Sequence, residues 1–166
     1  MARTAVILFN LGGPDCLEAV RPFLFNLFND PAIIGAPAPI RWLLAQYISR
    51  RRTPVAQEIY RQIGGRSPLV PQTEAQAQAL DSALGPECKV FVCMRYWHPQ
   101  AAAVAEEVRA WDPDRVILLP LYPQYSITTS GSSIADWAKA ARSAGLAVPT
   151  QTICCYPTEP GFTAAV

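Results

Sequence analysis

Three short apolar stretches decide the fold: residues 5–9 read AVILF, residues 90–94 read VFVCM and residues 116–121 read VILLPL. Each stretch is a continuous hydrophobic run of strand length, which is the composition of a strand buried on both faces. Residues 150–155, TQTICC, form a weaker fourth candidate. Strands buried on both faces are typical of parallel sheets covered by helices, so the chain is predicted to contain such a sheet.

Segments with helical spacing of apolar residues lie between these strands, at residues 17–28, 40–50, 54–63, 73–84, 101–111 and 132–144. Pro22 implies a kink or a late start in the first helix, and Thr53 with Pro54 implies the cap and first turn of the third. Gly145 is placed to end the last helix. The order of elements predicts an α/β fold, with a parallel sheet flanked by helices.

The carboxyl end of the chain reads as the beginning of another element. Residues 157–160, PTEP, are a good start for a helix that would include residues 163–166. We therefore expect the domain to be interrupted at residue 166 rather than finished.

Composition limits the class of protein. The chain has 166 residues, of which 51% are hydrophobic and 16% charged, so one domain with a real core is expected. The formal net charge of +1 gives no bulk attraction to nucleic acid. The sequence shows no signal peptide and no run of about 20 apolar residues, so a cytoplasmic protein is expected.

The cysteines match no zinc ribbon and no CxxC redox motif. If Cys154 and Cys155 continue a strand, their side chains point to opposite faces, which disfavours a shared metal site. Buried, reduced thiols are the expectation for all five: Cys16, Cys88, Cys93, Cys154 and Cys155.

Ligands of open α/β sheets bind at the carboxyl ends of the strands, and three unusual segments follow the predicted strands. Residues 10–14, NLGGP, allow either a close backbone approach to a ligand or simply a tight turn. Residues 95–99, RYWHP, place a guanidinium beside two aromatic rings, which suits a planar anion. Within that segment His98, the chain's single histidine, is expected to be structural.

The third segment, residues 126–133, reads SITTSGSS. Its hydroxyl groups at a helix N-terminus favour a carboxylate ligand, and capping by Ser132 or Ser133 is the alternative. The sequence offers no nucleotide-binding glycine motif, Ser-His-Asp set, paired acids or metal cluster.

Two further stretches have more than one interpretation. Residues 50–52 are three arginines, which fit either a solvated C-terminal helical turn or a site for carboxylates of a ligand. Residues 33–44 are apolar and rich in proline and glycine. They fit a lip over a hydrophobic ligand, a membrane-touching edge or core packing.

Five motifs together resemble the ferrochelatase family, and they follow one another in the order that the family shows. They span nearly the whole chain: LFNLGGP at 8–14, RRTP at 51–54, YRQIGGRSP at 60–68, RY with HP at 95–99, and YPQYS with GSS at 122–133.

The resemblance implies a chelatase fold of two similar Rossmann-like halves, of which residues 1–166 would be the amino-terminal one, with the second half absent. It implies insertion of Fe²⁺ into a dicarboxylate porphyrin in haem biosynthesis, with iron and porphyrin as substrates and no covalently bound cofactor. Residues matching the family's porphyrin-binding positions are Leu11, Arg52, Tyr60, Ser67, Arg95, Tyr122 and, by a weaker match, Ser133.

The chain departs from the family in two respects. The family's catalytic histidine, in a Ser-Ala-His-Ser-x-Pro stretch, and its partner glutamate have no counterpart here. The resemblance therefore implies no catalytic or metal-binding residue in this chain and no activity of the fragment alone. Some members also hold a [2Fe–2S] cluster through a cysteine that corresponds to Ile127, so a cluster of that kind is not expected.

Other expectations concern partners. The alternative function is a non-catalytic tetrapyrrole-binding half-module, or a subunit that pairs with a separate carboxy-terminal half. No nucleic acid is expected as a partner. A peripheral membrane contact through residues 33–48 would place this cytoplasmic protein at a membrane surface.

Overall fold

The computed structural model of the chain describes residues 2–165, and Met1 and Val166 lie outside the described residues. The chain divides into two compact units. The first, here called the sheet unit, contains the residues up to Asn10, Thr73–Arg95 and those from Pro99 onward. The second, the helical unit, contains Leu11–Gln72 and Tyr96–His98.

The sheet unit is built on four parallel strands. They are β1 (Thr4–Asn10), β2 (Cys88–Met94), β3 (Arg115–Pro120) and β4 (Thr150–Thr152), in the spatial order β2-β1-β3-β4. The predicted α/β class and parallel sheet are thereby confirmed. The fourth strand ends earlier than expected, because its exposed polar residues bury little apolar surface.

Within residues 2–165, six α-helices accompany the strands: α1 (Val20–Phe28), α2 (Ala38–Gln62), α3 (Leu69–Leu84), α4 (Ala101–Trp111), α5 (Ser132–Ala144) and α6 (Pro160–Ala165). A π-helix, Ile127–Gly131, leads directly into α5. Helices α4 and α5 begin and end at the predicted residues. Gly145 ends α5 in the left-handed conformation, with a φ of 73°. The helix expected near the carboxyl end is present as α6, and only its expected last residue, Val166, is not described.

Strand β1 is the centre of the core of the sheet unit. Its alternate residues point to opposite faces, so Ile7 and Phe9 pack with α4 and α5. Val6 and Leu8 pack on the other face against Ala77 of α3. Burial on both faces explains why the strand has no polar residue between Ala5 and Phe9.

Helices α1 and α3 each carry a proline in the first turn, where proline is tolerated. Helix α1 starts at Val20, so Pro22 lies in its first turn, as the late-start interpretation expected. Helix α3 starts four residues before the predicted residue 73 and carries Pro71 in its first turn. The first N–H groups of a helix have no partner within it, so proline costs little there.

Helix α2 contradicts the prediction of two helices at residues 40–50 and 54–63. It is continuous through Pro54, and the prediction that Thr53 caps a new helix is wrong. The Thr53 hydroxyl donates instead to the Ser49 carbonyl at 2.7 Å. The Arg50 carbonyl, which Pro54 cannot serve, belongs to an exposed residue where water can solvate it.

This continuity also corrects the interpretation of residues 50–52 as a C-terminal helical turn. They lie in the middle of α2, which ends at Gln62. Their charges therefore do not complement the negative end of a helix dipole.

The helical unit has its own core, formed where α1 packs against α2. Its buried residues are Val20, Phe23, Leu24 and Tyr96. The buried Tyr96 hydroxyl donates to Asp30 Oδ2 at 2.9 Å, and Asp30 Oδ1 accepts from the Ala32 N–H at 2.8 Å. This bonding explains how a carboxylate that is only 4% exposed is tolerated.

The cysteines differ from expectation. Cys93 is buried, but Cys16, Cys154 and Cys155 are exposed, so the prediction of buried thiols is wrong for these three. Strand β4 ends before Cys154, so the alternation of a strand does not separate its side chain from that of Cys155. Interaction with the Cys155 thiol raises the pKa of Cys154.

Candidate functional site

The order of the strands identifies the end of the sheet where ligands are expected. The chain passes from β1 to β2 on one side and then returns to β3 on the other, which makes a switch point between β1 and β3. Crevices at such points, outside the carboxyl ends of the strands, are the usual ligand sites of open α/β sheets. Arg95 directly follows β2, and Tyr122 is the second residue after β3.

Arg95 is held by two residues of α5. Its Nε donates to Ser132 Oγ at 2.7 Å, and its Nη1 lies 3.4 Å from Asp136 Oδ2. Ser132 and Asp136 are four residues apart and therefore share one face of the helix. The sequence analysis paired neither residue with Arg95, although the four-residue spacing between Ser132, in the hydroxyl-rich segment, and Asp136 was an available signal.

Tyr122 has a buried hydroxyl group. Burial raises the pKa of Tyr122 to about 12, and the Ser133 hydroxyl and the Arg95 guanidinium offset part of that rise. Ser133 is itself only 2% exposed. The structure thus brings together Arg95, Tyr122 and Ser133, the three predicted site residues that belong to the sheet unit.

The hydroxyl-rich segment begins with a cap, but the capping residue is neither of those considered. Ser126 Oγ accepts from the Thr128 N–H at 3.3 Å at the start of the π-helix, and it lies 2.9 Å from Thr128 Oγ1. The N-cap residue of α5 is Gly131, which has no side chain to cap with. The capping alternative for Ser132 and Ser133 is therefore wrong, and Ser132 bonds to Arg95 instead.

Two adjacent hydroxyl groups of this region, those of Thr129 and Ser130, are buried and have no hydrogen-bond partner among residues 2–165. The buried hydroxyls of Tyr122 and Ser133 interact with each other. Leaving a buried hydroxyl without a partner costs about 1–3 kcal/mol. Such groups are rare in folded proteins, so two at adjacent positions call for an explanation beyond the contacts of the chain itself.

In the helical unit, Leu11 and Tyr60 pack against the same core, beside Phe28. Burial raises the pKa of Tyr60. The Arg52 guanidinium carbon lies 5.8 Å from the centre of the Phe28 ring, which is the outer limit of a cation–π contact. Three predicted site residues, Leu11, Arg52 and Tyr60, therefore surround one aromatic cluster.

Ser67, the fourth predicted site residue of the helical unit, is fixed by the double-glycine turn. Its N–H donates to the Pro14 carbonyl at 2.7 Å. A Cβ atom added to Gly13 would overlap Ser67 Oγ and Cβ, and Gly12 has a φ of 83°. Gly12 makes the turn, as one interpretation of the glycines expected, and the close approach at Gly13 is that of Ser67. A close approach of this backbone to a ligand stays a prediction.

His98 lies at the surface of the helical unit, with its ring edge-on to Trp97 and 5.1 Å between the ring centres. The Trp97 indole Nε1 is buried and has no hydrogen-bond partner among residues 2–165. Sequence reasoning singled out the aromatic character of this segment but gave no reason to expect a buried donor without a partner.

Comparison with known proteins identifies the family of this chain. The family model described as ferrochelatase matches residues 3–166. The chain belongs to the ferrochelatase family. Its members are metal chelatases of haem and porphyrin biosynthesis, and the resemblance stated from the five motifs is confirmed.

Individual ferrochelatases are similar over nearly all of this chain. The ferrochelatase of Phenylobacterium zucineum is 55% identical over 168 residues, which cover 98% of this chain and 48% of that protein. The ferrochelatase of Pelagibacter ubique is 52% identical over 165 residues, covering 96% and 48%. That of Wolbachia from Drosophila simulans is 54% identical over 164 residues, covering 96% and 52%. The chain spans about half the length of the curated relatives that it matches.

The ferrochelatase chain described here shows two further properties. Across residues 2–165, no helix is both long enough and apolar enough to cross a bilayer. In the same part of the chain, no three or more His, Cys, Asp or Glu side chains are grouped so that they could hold a metal ion.

Proposed function

We propose that this chain contributes the porphyrin-binding residues of a ferrochelatase, an enzyme that inserts Fe²⁺ into a dicarboxylate porphyrin. The observation that carries the proposal is the family match over residues 3–166, with 55% identity to the ferrochelatase of Phenylobacterium zucineum. The proposed porphyrin-binding residues are those of the resemblance: Leu11, Arg52, Tyr60 and Ser67 of the helical unit, and Arg95, Tyr122 and Ser133 of the sheet unit.

The chemistry of these residues supports binding rather than catalysis. Apolar and aromatic side chains suit the faces of a macrocycle, and the two arginines suit its carboxylates. Metallation also requires a base that removes two pyrrole protons. We propose that this base, the family's histidine with its glutamate, comes from a carboxy-terminal half that residues 1–166 do not include.

The test compares porphyrin binding with iron insertion by the purified chain. We expect protoporphyrin to bind, seen as a shift of its Soret absorbance, without formation of haem from Fe²⁺. Absence of porphyrin binding would refute the proposed role. Haem formation by the chain alone would refute the statement that the base lies elsewhere.

A second candidate function is suggested by the family match over residues 3–166, which includes the proposed porphyrin-binding residues. In this alternative the chain is a non-catalytic tetrapyrrole-binding module, or a subunit that pairs with a separate carboxy-terminal half. Adding a separately produced carboxy-terminal half of the Phenylobacterium zucineum ferrochelatase to the chain distinguishes the binding module from the pairing subunit. Recovered iron insertion supports pairing, whereas porphyrin binding without recovery supports the module.

We further propose a cytoplasmic protein with a peripheral membrane contact through residues 33–48. Ile40, Leu43 and Tyr47 are exposed at helical spacing on α2, each more than half accessible to solvent. The exposed Arg50 and Arg51 follow on the same helix, which suits anionic headgroups. Sedimentation with anionic vesicles should decrease for Leu43→Gln, and equal sedimentation of both forms would contradict the contact.

A further inference from the structure

Cys154 and Cys155 are adjacent exposed cysteines that the proposed function does not use. They follow the short strand β4, which ends at Thr152. In an extended strand, consecutive side chains point to opposite faces, so two neighbouring thiols stay apart. Beyond the end of β4 this alternation no longer applies, and the two side chains can face each other.

The two thiols interact with each other. A hydrogen bond with the Cys155 side chain raises the pKa of Cys154. Both side chains are exposed to solvent, so a small reagent can reach them. Contact combined with exposure is what a pair of cysteines needs in order to react together with one reagent.

Hydrogen bonds hold the chain on both sides of the pair. The Ile153 N–H donates to the Leu118 carbonyl of β3 at 2.9 Å. On the other side, the Tyr156 N–H donates to the Pro123 carbonyl at 2.9 Å, and its hydroxyl donates to the Pro120 carbonyl at 3.0 Å. The two cysteines therefore lie between fixed points on β3 and on the segment that follows it.

A disulfide between neighbouring residues is strained. Consecutive Cα atoms are about 3.8 Å apart, whereas the Cα atoms of ordinary disulfides are about 4.4–6.8 Å apart. Strained or exposed disulfides are more easily reduced than structural ones, and they are the labile and regulatory kind. A disulfide between Cys154 and Cys155 would therefore open and close with the thiol–disulfide balance of its surroundings instead of fixing the fold.

We propose that Cys154 and Cys155 form a reversible redox site that exchanges with small-molecule disulfides. One cysteine thiolate attacks the sulfur–sulfur bond of the small disulfide, forms a mixed disulfide and releases one small thiol. The second cysteine thiolate then attacks the protein sulfur of the mixed disulfide and releases the other small thiol. The two cysteines lose two electrons and two protons, which the small disulfide gains as it becomes two thiols.

Tyr156 connects this redox site to the end of β3. Its hydrogen bonds to Pro120 and Pro123 lie on either side of Leu121 and Tyr122. Closing the ring at residues 154–155 changes the backbone next to Tyr156, so it should shift the segment to which Tyr156 is bonded. Oxidation should therefore be felt at Tyr122, although neither cysteine is among the proposed porphyrin-binding residues.

The first experiment identifies the product of oxidation. No lysine or arginine follows Arg142, so trypsin releases residues 143–166 as one peptide whose only cysteines are Cys154 and Cys155. After treatment of the chain with oxidised glutathione and alkylation of the remaining thiols, mass spectrometry should find this peptide without alkyl groups, without glutathione and lacking two hydrogen atoms. Dithiothreitol should restore the form that takes up two alkyl groups.

The controls use the other exposed cysteine and the two single variants. Cys154→Ser and Cys155→Ser should each retain one bound glutathione, because the second thiol that releases it is missing. Cys16→Ser, which removes an exposed thiol of the helical unit, should close the disulfide as the wild type does. A wild-type peptide that stays fully alkylated, carries glutathione on both cysteines or is linked to a second copy overturns the redox site.

A trivalent arsenical tests the pair without oxidation. Phenylarsine oxide joins two thiols through two arsenic–sulfur bonds and releases water. The wild-type chain should bind it at least about a hundredfold more tightly than Cys154→Ser or Cys155→Ser, because the second thiol then binds within the same molecule. Equal affinities of the three forms would show that the thiols do not act together, and would contradict the proposal.

The last experiment follows the connection to β3 in the ¹⁵N-labelled chain. Oxidation should shift the amide signals of Leu121 and Tyr122, and Tyr156→Phe should reduce these shifts while the disulfide still forms. The double variant Cys154→Ser, Cys155→Ser should show no shift with the same oxidant. A disulfide that forms without shifts at either residue refutes the connection through Tyr156. None of these measurements uses a porphyrin, so they test the redox site independently of the proposed function.

Discussion

Gly13 and Ser67 lie so close together that a single methyl group on Gly13 would overlap the Ser67 side chain. The Ser67 N–H also donates to the carbonyl of the adjacent Pro14 at 2.7 Å. The double-glycine turn and the Ser67 loop are therefore one structural feature. Because a side chain at position 13 would displace Ser67, Gly13 determines the position of the Ser67 hydroxyl. That hydroxyl belongs to a proposed porphyrin-binding residue.

Gly13→Ala is accordingly expected to weaken porphyrin binding by displacing Ser67. The loss should match that of Ser67→Ala, about threefold to tenfold if one hydrogen bond is lost. The double variant should bind no worse than either single one, since both changes remove the same contact. The measurement is a Soret titration of the three variants. Additive losses would show that Gly13 acts independently of Ser67.

Arg52 provides a second test of porphyrin binding. Its guanidinium lies near Phe28, at the edge of the aromatic cluster that also includes Leu11 and Tyr60. If it holds a propionate, Arg52→Ala should weaken binding by roughly 1–3 kcal/mol, the scale of a charged hydrogen bond. Arg51→Ala, at the exposed neighbouring position, is the matched control. Equal affinities of both variants would make residues 50–52 merely a solvated part of α2.

Stability should fall in alkaline solution because of two buried groups. Burial raises the pKa of Tyr122 from 10.0 to about 12, and burial with the nearby Asp136 raises that of Cys93 from 9.0 to about 12. Between pH 9 and 12 the unfolded chain loses these protons before the folded chain does. The unfolded state then binds fewer protons, so the free energy of unfolding decreases as the pH rises.

Each group should contribute a loss of about 2–4 kcal/mol across this range. Denaturant unfolding at several pH values measures it, and Tyr122→Phe or Cys93→Ala should each flatten the profile. Tyr125→Phe controls for the loss of a phenol at an exposed position. A wild-type profile as steep as that of Tyr122→Phe would contradict the burial of this hydroxyl.

The sequence alone predicted the elements whose signals are local and unambiguous. Strands β1, β2 and β3 were recognisable because burial on both faces requires a continuous apolar run, and α4 and α5 because one apolar face repeats at helical spacing. The positions of two candidate site residues were predictable, since Arg95 directly follows β2 and Tyr122 is the second residue after β3, at the end of the sheet where ligands usually bind.

What the sequence could not give depends on contacts between distant segments. The partnership of Gly13 with Ser67 joins residues 54 positions apart, and that of Arg95 with Ser132 joins residues 37 positions apart. The π-helix also has no simple periodic signature, so the sequence singled out the hydroxyl-rich segment but could not predict that the hydroxyls of Thr129 and Ser130 are buried. The exposed cysteines show the same limit, because a cysteine's burial follows from packing.

The largest error of prediction, the division of α2, leads to a last test. Proline inside a helix removes a hydrogen bond and costs about 3 kcal/mol in an unadapted site. Here the carbonyl that loses its partner is that of Arg50, an exposed residue where water can solvate it, while the Thr53 hydroxyl bonds the neighbouring Ser49 carbonyl at 2.7 Å. Pro54→Ala should therefore raise the free energy of unfolding by about 1–2 kcal/mol, after allowing for the greater freedom of the unfolded chain.

Thr53→Val is the companion variant, and it should lower stability by about 1 kcal/mol through loss of that hydroxyl bond. Denaturant unfolding of both variants gives the two values. If Pro54→Ala instead destabilises the chain, the proline must be shaping α2 so that it fits against α1, whose contacts with α2 form the core of the helical unit. In that case porphyrin binding should fall with stability, because Arg52 and Tyr60 lie on either side of the proline on the same helix.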